Sequence, residues 1–225
     1  LRQPGSMWTL FCTTDVPELK DLYGRAFTDA YVLAESRYEQ LNGIKIKTHT
    51  LWNQICQSII ETGAPYLLSK SNMQKSPQSG LVCGHILKQS NLCAEIIEHC
   101  GPSPQGRHTA VCNLATIKLD RFATAGSFDF HKFDTVVQTA VRNLNHTIDV
   151  THYPDETTRR SNIALRPLGC GVQGLADLFL TLNIPFDSPE ARQLNFHIAE
   201  QMYYSALTAS CQLAKEEAPF KYFWT

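Results

Sequence analysis

Asn91, Cys93 and Glu95 occupy alternate positions in Ser90-Asn91-Leu92-Cys93-Ala94-Glu95. In an extended chain, side chains at i, i+2 and i+4 point the same way, so this spacing would gather an amide, a thiol and a carboxylate on one face. In a helix the middle residue would be turned about 200° from the first, and the trio would be split. On one face they would offer a hydrogen-bonding group, a sulfur reagent and a general base. The same spacing also fits an edge strand with two solvated polar side chains and one buried cysteine.

Two other constellations invite chemistry. Gly169-Cys170-Gly171-Val172-Gln173-Gly174 matches the pattern G-x-G-x-x-G. A dinucleotide site would need a strand before it, a helix after it and an acid ending the next strand. The following segment, Leu180-Thr181-Leu182-Asn183-Ile184-Pro185, is too short and proline-broken for that second strand. The glycines are expected instead to let a helix lie close to neighbouring backbone. The eight histidines (His49, His85, His99, His108, His131, His146, His152 and His197) include no H-x₃-H or H-E-x₂-H pair. A group of Cys93, His99, Cys100 and His108 is interrupted by the turn at Gly101–Pro104, so no metal centre is expected.

The cysteines are Cys12, Cys56, Cys83, Cys93, Cys100, Cys112, Cys170 and Cys211. No C-x₂-C or C-x₄-C pair indicates structural zinc. Their spread does not suit a small disulfide scaffold, and a chain of this size does not need one. Cys56 and Cys211 lie in apolar helical patterns, where a free thiol packs as a small hydrophobe. Asn145-His146-Thr147 forms a glycosylation sequon without secretory context. A reducing, cytoplasmic setting is expected.

The elements that must position these residues read as follows. Helical spacing runs from Val16 to about Gln40, from Thr48 to Glu61 up to the Gly63-Ala64-Pro65 stop, and from Phe130 to Ile148. It returns near Val172–Leu182 and from Pro189 to about Glu217. Strand-like runs lie at Ser90–Ile97, Thr109–Leu119 and Asn162–Leu168. Residues 69–80 read as a polar surface excursion. Strands among long helices point to α/β or α+β rather than an all-helical bundle.

The 225 residues suffice for one domain with a substantial core or two small ones. Twenty basic and 21 acidic residues leave a net charge of −1, which makes nucleic acid and anionic lipid poor default partners. With 43% hydrophobic and 18% charged residues, the composition is that of a globular chain. No apolar run approaches the roughly 18 residues of a membrane helix, and no signal-peptide pattern opens the chain. Its ends, Leu1 and Trp224-Thr225, read as those of a piece of something longer.

The segment Ser90–Ile96, followed by Ala110-Val111-Cys112-Asn113-Leu114-Ala115, resembles the large catalytic subunit of class I ribonucleotide reductase. Trp8-Thr9-Leu10-Phe11-Cys12 with Asp15–Leu19 looks like the family's W-S-L-M-C-P…C-P-G-L stretch. Glu61-Thr62-Gly63-Ala64-Pro65-Tyr66 is similar to its E-T-G-x-P-Y. Val141–Asn145, Arg166–Gly169, Gly171–Asp177 and Ala214-Lys215-Glu216 continue in the family's order, so the resemblance runs nearly the whole length. The variable insert at Gly101–His108 is similar to that of herpesvirus large subunits.

This resemblance implies an α/β fold: a ten-stranded α/β barrel of two five-stranded halves, helix-rich, with Cys93 at the tip of an internal finger loop. Residues 1–225 would be the central portion of that barrel domain. It implies that a di-iron tyrosyl-radical small subunit supplies a radical to Cys93. The thiyl would then take the 3′-hydrogen of a ribonucleoside diphosphate. Glu95 would act as base on the 3′-hydroxyl, Asn91 would hold the sugar hydroxyls, and Leu92 would complete the substrate-binding segment. Water would leave from C2′. Cys112 would supply reducing equivalents by closing a disulfide with a second cysteine expected before Leu1, with Cys83 and Cys100 not expected to replace it. Thioredoxin or glutaredoxin would restore the thiols, and nucleoside triphosphate effectors would regulate the full-length protein. The chain by itself would be inactive and, with sheet edges open, prone to aggregate. One departure is Ala164-Leu165 before Arg166, where the family often has a basic residue and histidine, which would alter a local surface contact. A contrasting role, as a viral scaffold binding a host protein, suits relatives that have lost active-site residues. Here Asn91, Cys93, Glu95 and Cys112 are all present.

Overall fold

A computed structural model of the chain describes residues 5–75, 87, 92–102, 106–124, 126–221 and 223. The chain divides into two units, Leu1–Ser90 and Asn91–Thr225. Helices and strands are mixed, consistent with an α/β fold, and the strands of the described residues form three two-stranded sheets rather than a closed barrel.

In the first unit, β1 (Met7–Leu10) pairs antiparallel with β2 (Ile44–Lys47), Met7 opposite Lys47. The Tyr31 hydroxyl accepts from the Thr9 amide at 2.8 Å and donates to the Thr9 carbonyl at 3.0 Å, so a side chain acts as a further strand partner. Tyr31 belongs to α1 (Gly24–Glu35), and Trp8 and Phe27 stack on its ring. The helical period read from Val16 to Gln40 is therefore interrupted. A 3₁₀ turn at Pro17–Lys20 precedes α1, which ends at Glu35. Helix α2 (Thr48–Thr62) follows the expected span and stops where Gly63 takes φ 75°, a left-handed cap that glycine adopts without strain. Of residues 69–80, Lys70–Lys75 forms a short helix, α3, with Met73 and Gln74 buried, rather than a polar surface excursion, and 76–80 lie outside the described residues. Gln74 is buried there, donating to the Leu87 carbonyl at 2.6 Å and accepting from the Leu87 amide at 3.1 Å.

The second unit is built on β3 (Leu114–Lys118), β4 (Ala123–Thr124), β5 (Ser127–Phe128), α4 (Phe130–Val150), α5 (Glu156–Leu165), β6 (Gly169–Gln173), α6 (Leu175–Thr181) and α7 (Pro189–Glu216). Asp129 caps α4 by accepting from the Lys132 amide, Asp155 caps α5 from Thr157 and Thr158, and Ser188 caps α7 from Ala191. Phe133, Val137, Val141, Leu144 and Ile148 recur at helical spacing on the buried face of α4. Ile117, Leu119, Phe122, Phe128, Leu178 and Ile198 complete one core with Phe133 and Val137. Helix α7 lies along α4, where small Ser205 and Ala209 are buried. The Ser205 hydroxyl donates to Asp134 at 2.6 Å, and Arg142 pairs with Glu216 at 2.9 Å. Cys211 on α7 is exposed, contrary to the packing role expected of it.

Strands β3 and β6 run parallel, Leu114 opposite Gly169 and Lys118 opposite Gln173. Three sequence expectations are corrected here. The run Thr109–Leu119 enters a ladder only at Leu114. Asn162–Leu165 is the last turn of α5, because the Asp155 cap starts a helix that continues until Arg166 turns left-handed (φ 47°) before Pro167. The strand itself is the glycine-rich Gly169–Gln173, so the helix expected near Val172–Leu182 begins only at Leu175, as α6. Of Ala164-Leu165, the departure from the family pattern, Ala164 is buried rather than at the surface and Leu165 is half-buried. Among the described residues, no helix is long and apolar enough to cross a membrane.

Candidate active site

The Cys93 segment is a turn, not a strand. Residues 92–95 are bent, and the Ile96 amide donates to the Cys93 carbonyl at 3.2 Å. Cys93 and Glu95 therefore do not share the face of an extended strand, since a turn breaks the two-residue alternation. Asn91 lies outside the described residues. Leu92 is 82% exposed, Cys93 is half-buried and Glu95 is exposed, while Ile96 and Glu98 point inward. The chain then makes a close pair at Gly101 and His108, each amide donating to the other's carbonyl.

What packs against the turn is the start of β6. A Cβ placed on Gly169 would lie 2.9 Å from the Ile96 Cβ and 3.3 Å from the Glu95 Cγ. Only a residue without a side chain lets strand and turn approach this closely. The glycine-rich motif thus serves close approach, as expected, but of a strand to a turn rather than of a helix.

Cys112 is half-buried and stands two residues before β3, in a stretch outside any ladder. Each end of that stretch is held. The Thr109 amide donates to the Thr157 carbonyl at 3.3 Å, and the two threonine hydroxyls pair at 2.7 Å. The Val111 amide donates to the Glu98 carboxylate at 3.3 Å. Asn113 and Asn162 exchange amide hydrogen bonds at 3.1 and 3.2 Å, and Asn113 also donates to the Pro167 carbonyl at 2.9 Å. Asn162 gives its remaining hydrogen to the Tyr153 hydroxyl at 3.0 Å. The Asn113 carbonyl accepts from the Gly169 amide at 2.9 Å. Glu98 therefore joins the segment of Cys93 and Glu95 directly to the segment of Cys112.

Neither Glu98 nor the Asn113–Asn162 pair was singled out for a role from the sequence. Asn113 lies inside a recognised motif, but its partner is 49 residues away and belongs to a run that reads as a strand. Close by, Arg166 donates two hydrogen bonds to the Asp149 carboxylate, at 2.8 and 2.7 Å, and holds Asn145 as well. Those bonds keep the Asp149 carboxyl below the usual carboxylate range. Burial raises the Cys170 thiol, whereas the Thr14 hydroxyl lowers the exposed Cys12 thiol. Among the described residues no three His, Cys, Asp or Glu side chains gather as a metal site.

Comparison with known proteins bears on the same residues. The family model described as "Ribonucleotide reductase, barrel domain" matches residues 2–225. The chain is 44% identical over 222 residues to the ribonucleoside-diphosphate reductase large chain of Neurospora crassa, covering 97% of this chain and 23% of the relative. It is 43% identical to the large subunit of Arabidopsis thaliana, covering 97% of this chain and 28% of that one. To the large subunit of Variola virus it is 45% identical, covering 95% and 27%. The chain thus spans about a quarter of the length of the curated relatives it matches. With nearly all of its residues matched by the family model, and with fungal, plant and viral relatives at similar identity, the chain belongs to the ribonucleotide reductase barrel-domain family.

Proposed function

We propose that residues 1–225 are the central portion of the catalytic barrel of a ribonucleoside-diphosphate reductase large subunit, which makes 2′-deoxyribonucleoside diphosphates for DNA synthesis. One juxtaposition supports the reading most. In a chain of this family, the turn of Cys93 and Glu95 is tied through Glu98 to the segment of Cys112.

In this reading Cys93 would give one electron and one proton to a radical held by a di-iron small subunit and become a thiyl. Cys93 then takes the 3′-hydrogen of the ribose, a reversible exchange because S–H and activated ribose C–H bonds are close in strength. Asn91 and Leu92 bind the sugar beside it. Glu95 accepts the 3′-hydroxyl proton, and the 2′-hydroxyl leaves as water. Cys112 and a second protein thiol together give two electrons and two protons and become a disulfide, after which Cys93 returns hydrogen to C3′. The net change is ribonucleotide plus two thiols to deoxyribonucleotide, disulfide and water. A closed, water-poor barrel around these groups would protect the radical and strengthen their hydrogen bonds. Thioredoxin or glutaredoxin re-reduces the disulfide, nucleoside triphosphates act as effectors, and the cytoplasm is the place of action.

The test is conversion of CDP to dCDP by the full-length protein with its small subunit and a dithiol. Thiol-dependent dCDP is the expected product. Its absence from folded, radical-loaded protein would overturn the catalytic reading and favour a scaffold that binds other proteins.

A further inference from the structure

We propose that α5 is a splint for the Cys112 segment, with Asn113 and Asn162 as positioning residues for the Cys112 thiol; this rests on the reductase reading above. Residues 109–112 precede the β3–β6 pairing, which begins with the Gly169 amide on the Asn113 carbonyl, so their polar groups and the Asn113 side chain must be held by other means. Helix α5 holds them at both ends. Thr157, in its first turn, pairs with Thr109 by backbone and hydroxyl. Asn162, in its last turn, pairs reciprocally with Asn113.

The Asn pair is closed in the sense that matters for rigidity. Each side-chain amide carries two N–H groups, and all four are used: one each within the pair, one to Pro167 and one to Tyr153. Asn113 and Asn162 are 6% and 0% exposed, so water offers no competing partners and one arrangement is selected. The Tyr153 hydroxyl in turn donates to the Ile148 carbonyl at 2.7 Å, which anchors the pair to α4. Cys112 stands between the tie at Val111 and the tie at Asn113. Its backbone is therefore set on both sides. A thiol that must close an S–S bond of about 2.05 Å tolerates little error in that placement.

Release of the free base is a readout that a merely structural role does not move. If water leaves C2′ and the thiols cannot reduce the product, Cys93 returns its hydrogen and a 2′-deoxy-3′-keto nucleotide results. Its carbonyl acidifies the C2′ hydrogens, one is lost as a proton, and the C1′–N bond breaks to release the base. The ratio of dCDP to free cytosine therefore reports how well Cys112 is placed. In full-length protein with its small subunit, Asn113→Ala and Asn162→Ala should each lower that ratio roughly ten- to a hundred-fold. The double variant should fall no further than either single one, because both act through one pair. Thr109→Val, which removes only the hydroxyl at the other end, should lower the ratio a few-fold and decides the matter if the alanine variants fail to fold. Folded variants that lose both products in proportion, with the ratio unchanged, would overturn the splint while leaving the reductase intact. A wild type that makes neither product would sink the reductase reading and the splint with it.

Discussion

Replacing Gly169 by alanine would put a methyl group where β6 meets the turn of Cys93 and Glu95. The new Cβ would lie 2.6 Å from the Leu114 Cδ2, 2.9 Å from the Ile96 Cβ and 3.3 Å from the Glu95 Cγ. The Leu114 contact is soft, because a terminal methyl on a partly exposed side chain can rotate away. The Ile96 contact is not. Its Cβ is fixed to the backbone, and the residue is 4% exposed with no room to retreat. Turn and strand must therefore part by several tenths of an ångström, and the turn carries Cys93 and Glu95. Overpacking of this kind costs about 1–3 kcal/mol. A displacement of reacting groups on this scale lowers turnover roughly ten- to a hundred-fold. Gly171, two residues along the same strand, is the control. A Cβ there would meet nothing closer than the Ala115 carbonyl and Thr116 hydroxyl at 4.0 Å, so Gly171→Ala should turn over normally. The assay is CDP reduction and denaturant unfolding of both full-length variants beside wild type. Wild-type turnover and stability in Gly169→Ala would show that the strand and the turn are not in tight contact at Gly169, as would equal impairment of the two variants.

Three further outcomes follow from the second unit and from two thiols of unlike exposure. The Asp149 carboxyl is depressed by its hydrogen bonds from Arg166, so its stabilising share is present above the unfolded value near 3.9 and is lost as pH falls through the lower folded value. Asp149→Asn should therefore show a smaller drop in urea midpoint between pH 7 and pH 3 than wild type, and an equal drop would contradict that assignment. Fully buried Phe133, edge-on to Phe122 and Phe128, should cost about 3–5 kcal/mol on change to alanine, read as a loss in unfolding free energy. Cys12, lowered by Thr14, should be alkylated well before Cys170, raised by burial; peptide mapping of a brief iodoacetamide treatment at pH 7.5 would show the order, and the reverse order would be wrong for both.

The long helices were legible because their signals are local. The apolar repeat from Phe133 to Ile148 and the stop at Gly63 set spans that the structure reproduces to within a residue or two. Of the strands in the described residues, only β3 was legible, inside the run Thr109–Leu119; the others were not, because their causes are distant. Gly169-Cys170-Gly171 has almost no strand propensity of its own and becomes a strand only by pairing with β3 across more than fifty residues. β1 and β2 were missed for the same reason, since Thr9 is held by Tyr31 and Glu35 from a helix. At the site, the residue types were readable while the backbone beneath them was not: the alternation through Cys93 and Glu95 suggested a strand, and the chain turns instead. The ties through Glu98 and Asn113 needed tertiary structure to be seen at all.

On the proposed mechanism the Cys93 sulfur removes the ribose 3′-hydrogen. Full-length wild type and Cys93→Ser, each loaded with the small subunit, should be given CDP and 3′-deuterated CDP side by side. The account predicts slower turnover of the deuterated substrate by wild type and no dCDP from a folded, subunit-bound Cys93→Ser. Deoxynucleotide formed by the serine variant at the wild-type rate would contradict it.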